Sequence, residues 1–289
     1  MFFDVLPSLL NELILSKIIR EKYLRKKNVV IHKKENLKYY FLQTGKELNT
    51  RLEDVLEINL PKGITSLGDR VFMNCTSLVN IELPEGITSL GDRVFRSCTS
   101  LVNIELPESV NSLGDGVFSY CKSLVNIKLP RGITSLGDYV FCDCTSLVNI
   151  ELPEGITSLG DRVFCDCTSL VNIELPEGIT SLGDGVFSYC KSLVNIKFPE
   201  GITNAKRRIR NPEDFKYSLG DYVFCDCTSL VNIKLPEGIT SLGYDVFDGC
   251  INLKTIRISE NSNFSKDKFP DNVKIITVLN KEPPALEKA

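Results

Sequence analysis

Histidine is almost absent from this chain, and its scarcity excludes several kinds of catalytic site. The 289 residues include one histidine, His32, with two methionines and no tryptophan. A Ser-His-Asp or Cys-His arrangement could use only His32, and a metal site built from several histidines is excluded. The sequence also lacks the G-x-x-x-x-G-K-[ST] motif and the glycine-rich dinucleotide fingerprint. We therefore expect no enzymatic activity, no cofactor and no metal ion.

Long hydrophobic runs and an excess of basic charge are also missing. No uninterrupted apolar segment reaches the roughly 18 residues needed to cross a bilayer. The N-terminus begins with the acid Asp4 rather than a basic region, unlike a signal peptide. The formal net charge of -3 differs from the strongly basic balance of nucleic-acid-binding proteins. These features predict a soluble protein, cytoplasmic by default, with no membrane span and no nucleic-acid partner.

Repetition is the feature that the sequence has in abundance. A fixed period of this size marks a solenoid, in which each turn of chain, here called a rung, contacts only its neighbours. We therefore expect one elongated repeat domain, rather than the two globular domains that the length alone would suggest. The dipeptide Leu-Pro recurs every 23 residues, at Leu60-Pro61, Leu83-Pro84, Leu106-Pro107, Leu129-Pro130, Leu152-Pro153 and Leu175-Pro176.

Each rung has a pattern that predicts its local structure. Apolar and polar residues alternate around Ile81, which indicates a strand with one buried face. Pro84 ends this strand because proline cannot donate a hydrogen bond to a sheet. Residues 87–90 offer a second short extended piece. Residues 92–95 predict one helical turn, with the aspartate as its N-cap and the phenylalanine pointing inward.

Stacking the rungs aligns equivalent residues in columns inside the solenoid. One phenylalanine per rung is expected to form an aromatic spine. One cysteine per rung is expected to be buried and reduced, since buried thiols behave as small hydrophobic groups and no export signal is present. The phenylalanines are Phe72, Phe95, Phe118, Phe141, Phe164, Phe187, Phe224 and Phe247, and the cysteines are Cys75, Cys98, Cys121, Cys144, Cys167, Cys190, Cys227 and Cys250.

The segment "SLVNIELPEGITSLGDRVFRSC", residues 77–98, resembles the BspA-type leucine-rich repeat. That repeat has the pattern L-x-x-I-x-I-P-x-x-V-x-x-I-G-x-x-A-F-x-x-C, and the match extends over about residues 55–257. The resemblance implies a mainly β, right-handed parallel solenoid with short helical turns. It also implies an adhesion or protein-binding surface, as used by such arrays in bacteria, protozoa and large DNA viruses.

Residues 1–54 lie outside the repeat. Their apolar positions predict an amphipathic helix over about residues 7–25, which would cap the exposed first rung. Residues 4–19, "DVLPSLLNELILSKII", also faintly resemble the start of an F-box, a module that docks a substrate receptor onto a ubiquitin-ligase adaptor. The solenoid is placed at residues 55–280, with a degenerate last rung at residues 273–279, and residues 281–289 are expected to be a flexible tail.

An insertion at residues 204–217 interrupts the repeat. It carries five basic residues against two acidic ones: Lys206, Arg207, Arg208, Arg210 and Lys216 against Glu213 and Asp214. One interpretation is a tolerated surface loop, because added loop length costs little free energy. The other is a projecting basic loop that touches an acidic partner, since insertions in solenoids often map to one face.

Three additional cysteines, Cys142, Cys165 and Cys225, precede a column cysteine by two residues. Four cysteines on two adjacent rungs suggest a four-thiolate zinc site. The spacing argues against it, since structural zinc knuckles use C-x2-4-C and one cysteine of each pair is committed to the core. We expect exposed, weakly reactive thiols instead.

The outward positions of the first strand are the expected binding surface. They form a column of asparagines, able to build an amide ladder, and a column of charged residues, acidic first and basic later. Their near-uniformity favours a repetitive ligand bound through many weak equal contacts, or a recently expanded spacer. The residues expected to contact a partner are Asn80, Glu82, Asn103, Glu105, Asn126, Lys128, Asn149, Glu151, Asn172, Glu174, Asn195 and Lys197, together with Lys206, Arg207, Arg208 and Arg210.

The sequence thus predicts a non-enzymatic leucine-rich-repeat scaffold of the adhesion type, which binds a protein through its repetitive sheet face. Two alternatives stay open. In the first, residues 1–51 recruit a ubiquitin ligase and the array selects a target. In the second, the array is a structural spacer.

Overall fold

A computed structural model describes residues 29–30, 57–60, 63–199, 217–236, 239–260, 262, 264 and 268–278 of the chain. The predicted N-terminal helix, the F-box-like segment and His32 lie outside these residues. So do residues 204–216 of the insertion and the tail at residues 281–289. No helix in the described ranges is long and apolar enough to cross a membrane.

The described chain winds as a parallel β-solenoid with two strips of short strands. The first strip, here called the sheet face, contains β2 (Glu57–Asn59), β4 (Asn80–Glu82), β6 (Asn103–Glu105), β8 (Asn126–Lys128), β11 (Asn172–Glu174), β13 (Asn195–Lys197), β15 (Asn232–Lys234), β17 (Thr255–Ser259) and β18 (Lys274–Val278), and β1 (Val29–Val30) pairs in parallel with β2. The second strip contains β3 (Ser66–Leu67), β5 (Ser89–Leu90), β7 (Ser112–Leu113), β9 (Ser135–Leu136), β10 (Ser158–Leu159), β12 (Ser181–Leu182), β14 (Tyr217–Leu219) and β16 (Ile239–Leu242). The expected parallel solenoid is confirmed.

Alternation of side chains explains the burial of the first strip. In β4 the outer residues Asn80 and Glu82 are exposed and Ile81 is buried. The same exposed-buried-exposed pattern recurs in β6, β8, β11 and β15. A period of two is the consequence of a pleated strand with one face against the core. Each rung therefore presents two polar side chains outward for each isoleucine that it buries.

The predicted helical turn at residues 92–95 is wrong. Arg93 and Ser97 have positive φ angles of 55° and 61°, which an α-helix does not allow. Alternate backbone N–H groups point to the next rung instead: Arg93 N–H donates to the Asp115 carbonyl at 2.8 Å and Phe95 N–H to the Val117 carbonyl at 2.9 Å. These segments form a third strip, here called the turn face. The backbone N–H groups of these segments are therefore hydrogen-bonded to the neighbouring rung and not within a local helix.

The aspartate expected as an N-cap has a different partner. The Asp92 side-chain Oδ1 accepts a hydrogen bond from the backbone N–H of Asp115 in the next rung, at 2.9 Å. The same bond repeats between successive rungs from Asp69 to Tyr244, at 2.7 to 2.9 Å. The aspartate column is therefore a ladder that ties each rung to the next.

The aspartate ladder also requires glycine beside it. A Cβ atom built on Gly91 would lie 2.3 Å from Asp69 Oδ1 and 2.8 Å from the Asp69 nitrogen. Contacts this short do not occur for real side chains. The glycine of the Gly-Asp pair is thus selected by the close approach of the neighbouring rung, not by a positive φ angle.

The core consists of the expected columns. The eight spine phenylalanines, Phe72 to Phe247, are at most 2% exposed, and successive rings stack with centroids 5.6 to 5.7 Å apart. The column cysteines are buried. Each thiol from Cys98 onward donates to a phenylalanine carbonyl of the preceding rung, as Cys98 does to Phe72 at 3.2 Å. A small side chain with a weak donor suits this position.

The repeat continues in register across the insertion. Ser218 pairs with Ser181 in the second strip, as Ser181 does with Ser158. The rings of Phe187 and Phe224 stack at 5.7 Å although 37 residues separate them. Within the predicted last rung, β18 pairs in parallel with β17. The insertion therefore interrupts the sequence pattern without interrupting the stack.

Candidate interaction surface

The sheet face gathers the predicted partner-binding residues of the array. All twelve residues from Asn80 to Lys197 named above are exposed. Backbone pairing aligns them in register, as Asn103 with Asn126 and Glu105 with Lys128. The four insertion residues, Lys206 to Arg210, lie outside the described residues. The structure thus assembles two continuous columns of outward side chains, spaced by the strand separation of about 4.8 Å.

Two neighbouring asparagines of the column are joined by a side-chain hydrogen bond. Asn195 Nδ2 donates to Asn172 Oδ1 at 2.9 Å, which is one step of the predicted amide ladder. An amide that donates to one neighbour still has a second N–H and free acceptor capacity. The column therefore presents donors and acceptors to a partner at every rung.

Charges along the second column are uneven. Glu82 stands directly opposite Glu105, and Lys234 stands opposite Arg257. Like charges in directly opposed positions are destabilising. Between them, Glu174 forms an ion pair with Lys197 on the next rung. The N-terminal end of the sheet face is therefore acidic, and the C-terminal end is basic.

The acidic end of the sheet face is concave. A shallow depression of about 580 Å³ lies over β4 and β6 and is lined by Glu82, Glu85, Glu105 and Glu108. At its border, Lys128 Nζ lies 3.7 Å from Glu108 Oε1, and both side chains are more than half exposed. An exposed pair of this kind contributes little to stability. The depression keeps a net negative charge that a cationic group could neutralise.

The turn face carries aromatic and basic side chains that the sequence reasoning missed. Tyr139, Tyr189 and Tyr222 are 38%, 41% and 45% exposed. Arg162 Nη1 donates to Tyr139 Oη at 2.7 Å, and this bond raises the pKa of the Arg162 guanidinium. The missed signal was variability: residues equivalent to Arg93 are arginine, glycine, tyrosine or aspartate in different rungs. The asparagine column of the sheet face is uniform, and this position of the turn face is not.

The expectation of exposed thiols at Cys142, Cys165 and Cys225 is wrong. These side chains are 6%, 8% and 8% exposed. The tight turns of the third strip fold this position between the equivalent residues of the neighbouring rungs. Burial raises the pKa of the Cys225 thiol to about 11, with the nearby Asp226 carboxylate adding to the effect. In the part of the chain that the structure describes, no three His, Cys, Asp or Glu residues converge on a common metal position.

The geometry of the stack defines the class of protein. A stack of nearly identical β-rungs with a continuous polar sheet face is a repeat solenoid of the scaffold type. The family model of the BspA type leucine-rich repeat region matches this chain in six copies, over residues 49–143, 114–209 and 208–281. The chain therefore belongs to the BspA-type leucine-rich repeat family, as its sequence pattern indicated.

This chain is similar to several solved structures. The leucine-rich repeat protein of T. pallidum is 29% identical, with a TM-score of 0.51, over 61% of this chain and 78% of that one. The pneumococcal vaccine antigen PcpA is 18% identical, with a TM-score of 0.50, over 78% of this chain and 63% of that one. A leucine-rich cell surface protein from Faecalibacterium prausnitzii A2-165 is 23% identical, with a TM-score of 0.47, over 79% and 80%. No curated protein matches this chain significantly.

Proposed function

We propose that this protein is a non-enzymatic binding scaffold of the adhesion type, and that its sheet face recognises a protein partner. The observation that supports the proposal is the register of the two outward columns. Equivalent side chains of neighbouring rungs stand directly opposite one another, as Asn103 and Asn126 do. A partner with its own repeated groups could therefore be bound through many similar contacts, each weak, whose sum gives useful avidity.

The charge distribution of the sheet face indicates which chemical groups the partner carries. The carboxylates of Glu82, Glu85, Glu105 and Glu108 share one depression, and Glu82 opposes Glu105 directly. Binding a lysine- or arginine-bearing segment there would remove the repulsion between the carboxylates. The proposed partner is accordingly a protein with basic groups facing the N-terminal half of the sheet face.

The competing functions rest on other parts of the chain. A ubiquitin-ligase adaptor would act through residues 1–51, almost all of which lie outside the described residues. A structural spacer would have no reason to keep unneutralised carboxylates opposed on its surface. The acidic depression therefore favours binding over a spacer.

The test compares charge reversals on two faces of the full-length protein. Proteins captured from lysate by the immobilised chain are quantified by mass spectrometry for the wild type, for Glu82→Lys/Glu105→Lys and for Asp248→Lys. Asp248 is exposed on the turn face, so its reversal is the matched control. We expect the double variant to lose a reproducible set of proteins by about tenfold or more, equivalent to about 1.4 kcal/mol, and the control to retain it.

Folding is monitored in parallel by circular dichroism and thermal unfolding. The double variant replaces one pair of opposed like charges by another on an exposed face, where charge pairs contribute little, so its stability should stay within about 1 kcal/mol of the wild type. A captured set that the double variant retains, or that Asp248→Lys loses equally, would contradict binding through the sheet face.

A further inference from the structure

The turn face contains one place where two cysteines occupy the same position of adjacent rungs. The column that follows the spine phenylalanine reads Ser119, Cys142, Cys165, Ser188 and Cys225 along successive rungs. Cys142 and Cys165 are therefore nearest neighbours, whereas Cys225 lies between Ser188 and Asp248. None of these three cysteines belongs to the buried column that packs against the phenylalanine carbonyls.

Backbone pairing sets the separation of the two cysteines. The N–H of Asp143, the residue after Cys142, donates to the Cys165 carbonyl at 2.8 Å. Rungs joined in this way lie about 4.8 Å apart. That spacing falls inside the range of about 4.4 to 6.8 Å between Cα atoms that a disulfide spans. The backbone separation of the two rungs is therefore compatible with a disulfide between them.

The surroundings of the two thiols differ, and the difference gives each a role. Ser188 Oγ lies 3.1 Å from Cys165 Sγ, within hydrogen-bonding distance. The Cys142 thiol donates to Asp143 Oδ2 at 3.5 Å, and Cys165 Sγ lies 3.8 Å from Asp166 Oδ2. The interaction between the two thiols lowers the pKa of Cys165, with a contribution from Ser188, and raises the pKa of Cys142. A thiolate is the reactive form of cysteine. Cys165 Sγ accepts a hydrogen bond from the Ser188 hydroxyl, which stabilises a thiolate, whereas the Cys142 thiol donates to a carboxylate and keeps its proton, so Cys165 is suited to attack and Cys142 to follow.

We propose that Cys142 and Cys165 are an oxidisable dithiol, a modification site whose reagent is a small peroxide and whose product is a disulfide between two adjacent rungs. Both side chains are within a few per cent of complete burial, at 6% and 8% exposure, so that only a small oxidant reaches them. The column cysteines Cys144 and Cys167 are fully buried and bonded to carbonyls, and they stay reduced.

The chemistry balances in two steps. The Cys165 thiolate attacks the O–O bond of the peroxide, an S–O bond forms, and hydroxide leaves, which gives a sulfenic acid. The Cys142 sulfur then attacks the Cys165 sulfur, an S–S bond forms, and the S–O bond breaks with release of water. The two thiols lose two electrons and two protons, and hydrogen peroxide is reduced to two molecules of water.

The experiment uses the full chain and hydrogen peroxide as the probe. After reaction, free thiols are blocked with N-ethylmaleimide, and the unreduced protein is digested with trypsin and analysed by mass spectrometry. Cleavage after Arg131, Arg162 and Lys191 places the two cysteines on separate peptides, residues 132–162 and 163–191. We expect these peptides to become linked, with the loss of two of the eleven thiols.

Serine variants separate this site from its neighbours. Serine already occupies the same column at positions 119 and 188, so Cys142→Ser, Cys165→Ser and Cys225→Ser should fold. Cys165→Ser should abolish the link, Cys225→Ser should keep it, and Cys142→Ser should stop at a sulfenic acid that dimedone traps. The proposal is overturned if the wild-type peptides stay unlinked, or if the link survives in Cys165→Ser.

Discussion

Gly160 shows how a single residue can be determined by the rung beside it. A Cβ atom at this position would lie 2.5 Å from Asp138 Oδ1 and 2.8 Å from the Gly137 carbonyl carbon. By contrast, a Cβ atom at Gly155 would meet nothing closer than 3.7 Å. Both glycines recur in the repeat, yet only the first is required by packing. The two positions form a matched pair of the same residue type within one rung.

We expect Gly160→Ala to destabilise the protein by roughly 1–3 kcal/mol, because the added methyl group displaces the aspartate ladder. Gly155→Ala should be neutral or stabilising by up to about 1 kcal/mol, since alanine restricts the unfolded chain more than glycine does. Urea unfolding of the two variants and the wild type measures both effects. Equal destabilisation by the two substitutions would show that close approach is not the reason for Gly160.

Backbone conformation at Arg93 and Tyr139 marks the limit of sequence reasoning for single residues. Both have positive φ angles, 55° and 59°, at a cost of about 1–2 kcal/mol each for residues that are not glycine. Nothing in the intrinsic preferences of arginine or tyrosine predicts this conformation. It is stabilised by hydrogen bonds to the next rung, such as Tyr139 N–H to the Asp161 carbonyl at 2.8 Å. This backbone conformation is therefore determined by the stacking of the rungs and not by the type of residue.

At the level of elements, the strands and the core columns could be predicted because burial selects for them directly. The alternation around Ile81 and the spacing of the phenylalanines follow from which side chains face inward. The helical turn at residues 92–95 could not be excluded in the same way, since Asp-Arg-Val-Phe suits the first turn of a helix when considered alone. The conformation of this segment depends on whether its N–H groups bond within the segment or to the next rung. The bonds to the next rung exist only in the stacked structure, so the isolated sequence does not reveal them.

The buried cysteine column makes the protein lose stability at alkaline pH. Burial raises the pKa of Cys121 and of Cys250 to about 12. In the unfolded chain such thiols ionise from about pH 9 upward, whereas in the folded chain they keep their protons. The unfolded state therefore binds fewer protons, and stability is lost as pH rises from about 9 toward 12. Below about pH 9 the contribution of these thiols is fully present.

We expect the free energy of unfolding to fall by up to about 1.4 kcal/mol per pH unit for each such thiol above about pH 9. Urea unfolding at several pH values measures the slope. Cys121→Ala is the control: it should begin less stable, because it leaves a small cavity, but lose stability less steeply. Tyrosine and lysine titrate equally in both proteins. Identical slopes would mean that the Cys121 thiol does not titrate differently on folding.

For the whole molecule, the determining property is that each rung contacts only the rungs beside it. The stacking distance of the spine rings is 5.6 Å at Phe141 and 5.7 Å across the insertion at Phe224. Equivalent interfaces recur although the intervening loop differs in length. The extent of the solenoid could thus be predicted from the period alone. The acidic depression could not, because it depends on which surface residues stand opposite each other.

Deletion of two rungs tests both the additivity of the fold and the repetitive nature of the binding. Removing residues 115–160 joins Gly114 to Asp161, which occupies the same repeat position as Asp115. We expect the shortened chain to fold, with a urea m-value lower by about a quarter, since two of the eight spine phenylalanines and their rungs are lost. The shortened chain should capture the same proteins as the full chain in moderately reduced amounts, because the number of contacts falls in proportion to the number of rungs.

A deletion that leaves one rung incomplete, residues 115–171, is the control for the register. It joins Gly114 to Asn172, so that this rung lacks its turn segment, its spine phenylalanine and its column cysteine, and the chain should fail to fold cooperatively. The in-phase variant keeps Glu82 and Glu105, and with them the acidic depression. Complete loss of binding by an in-phase variant that is still folded would show that a single site among residues 115–160 carries the interaction, and would contradict recognition through repeated contacts.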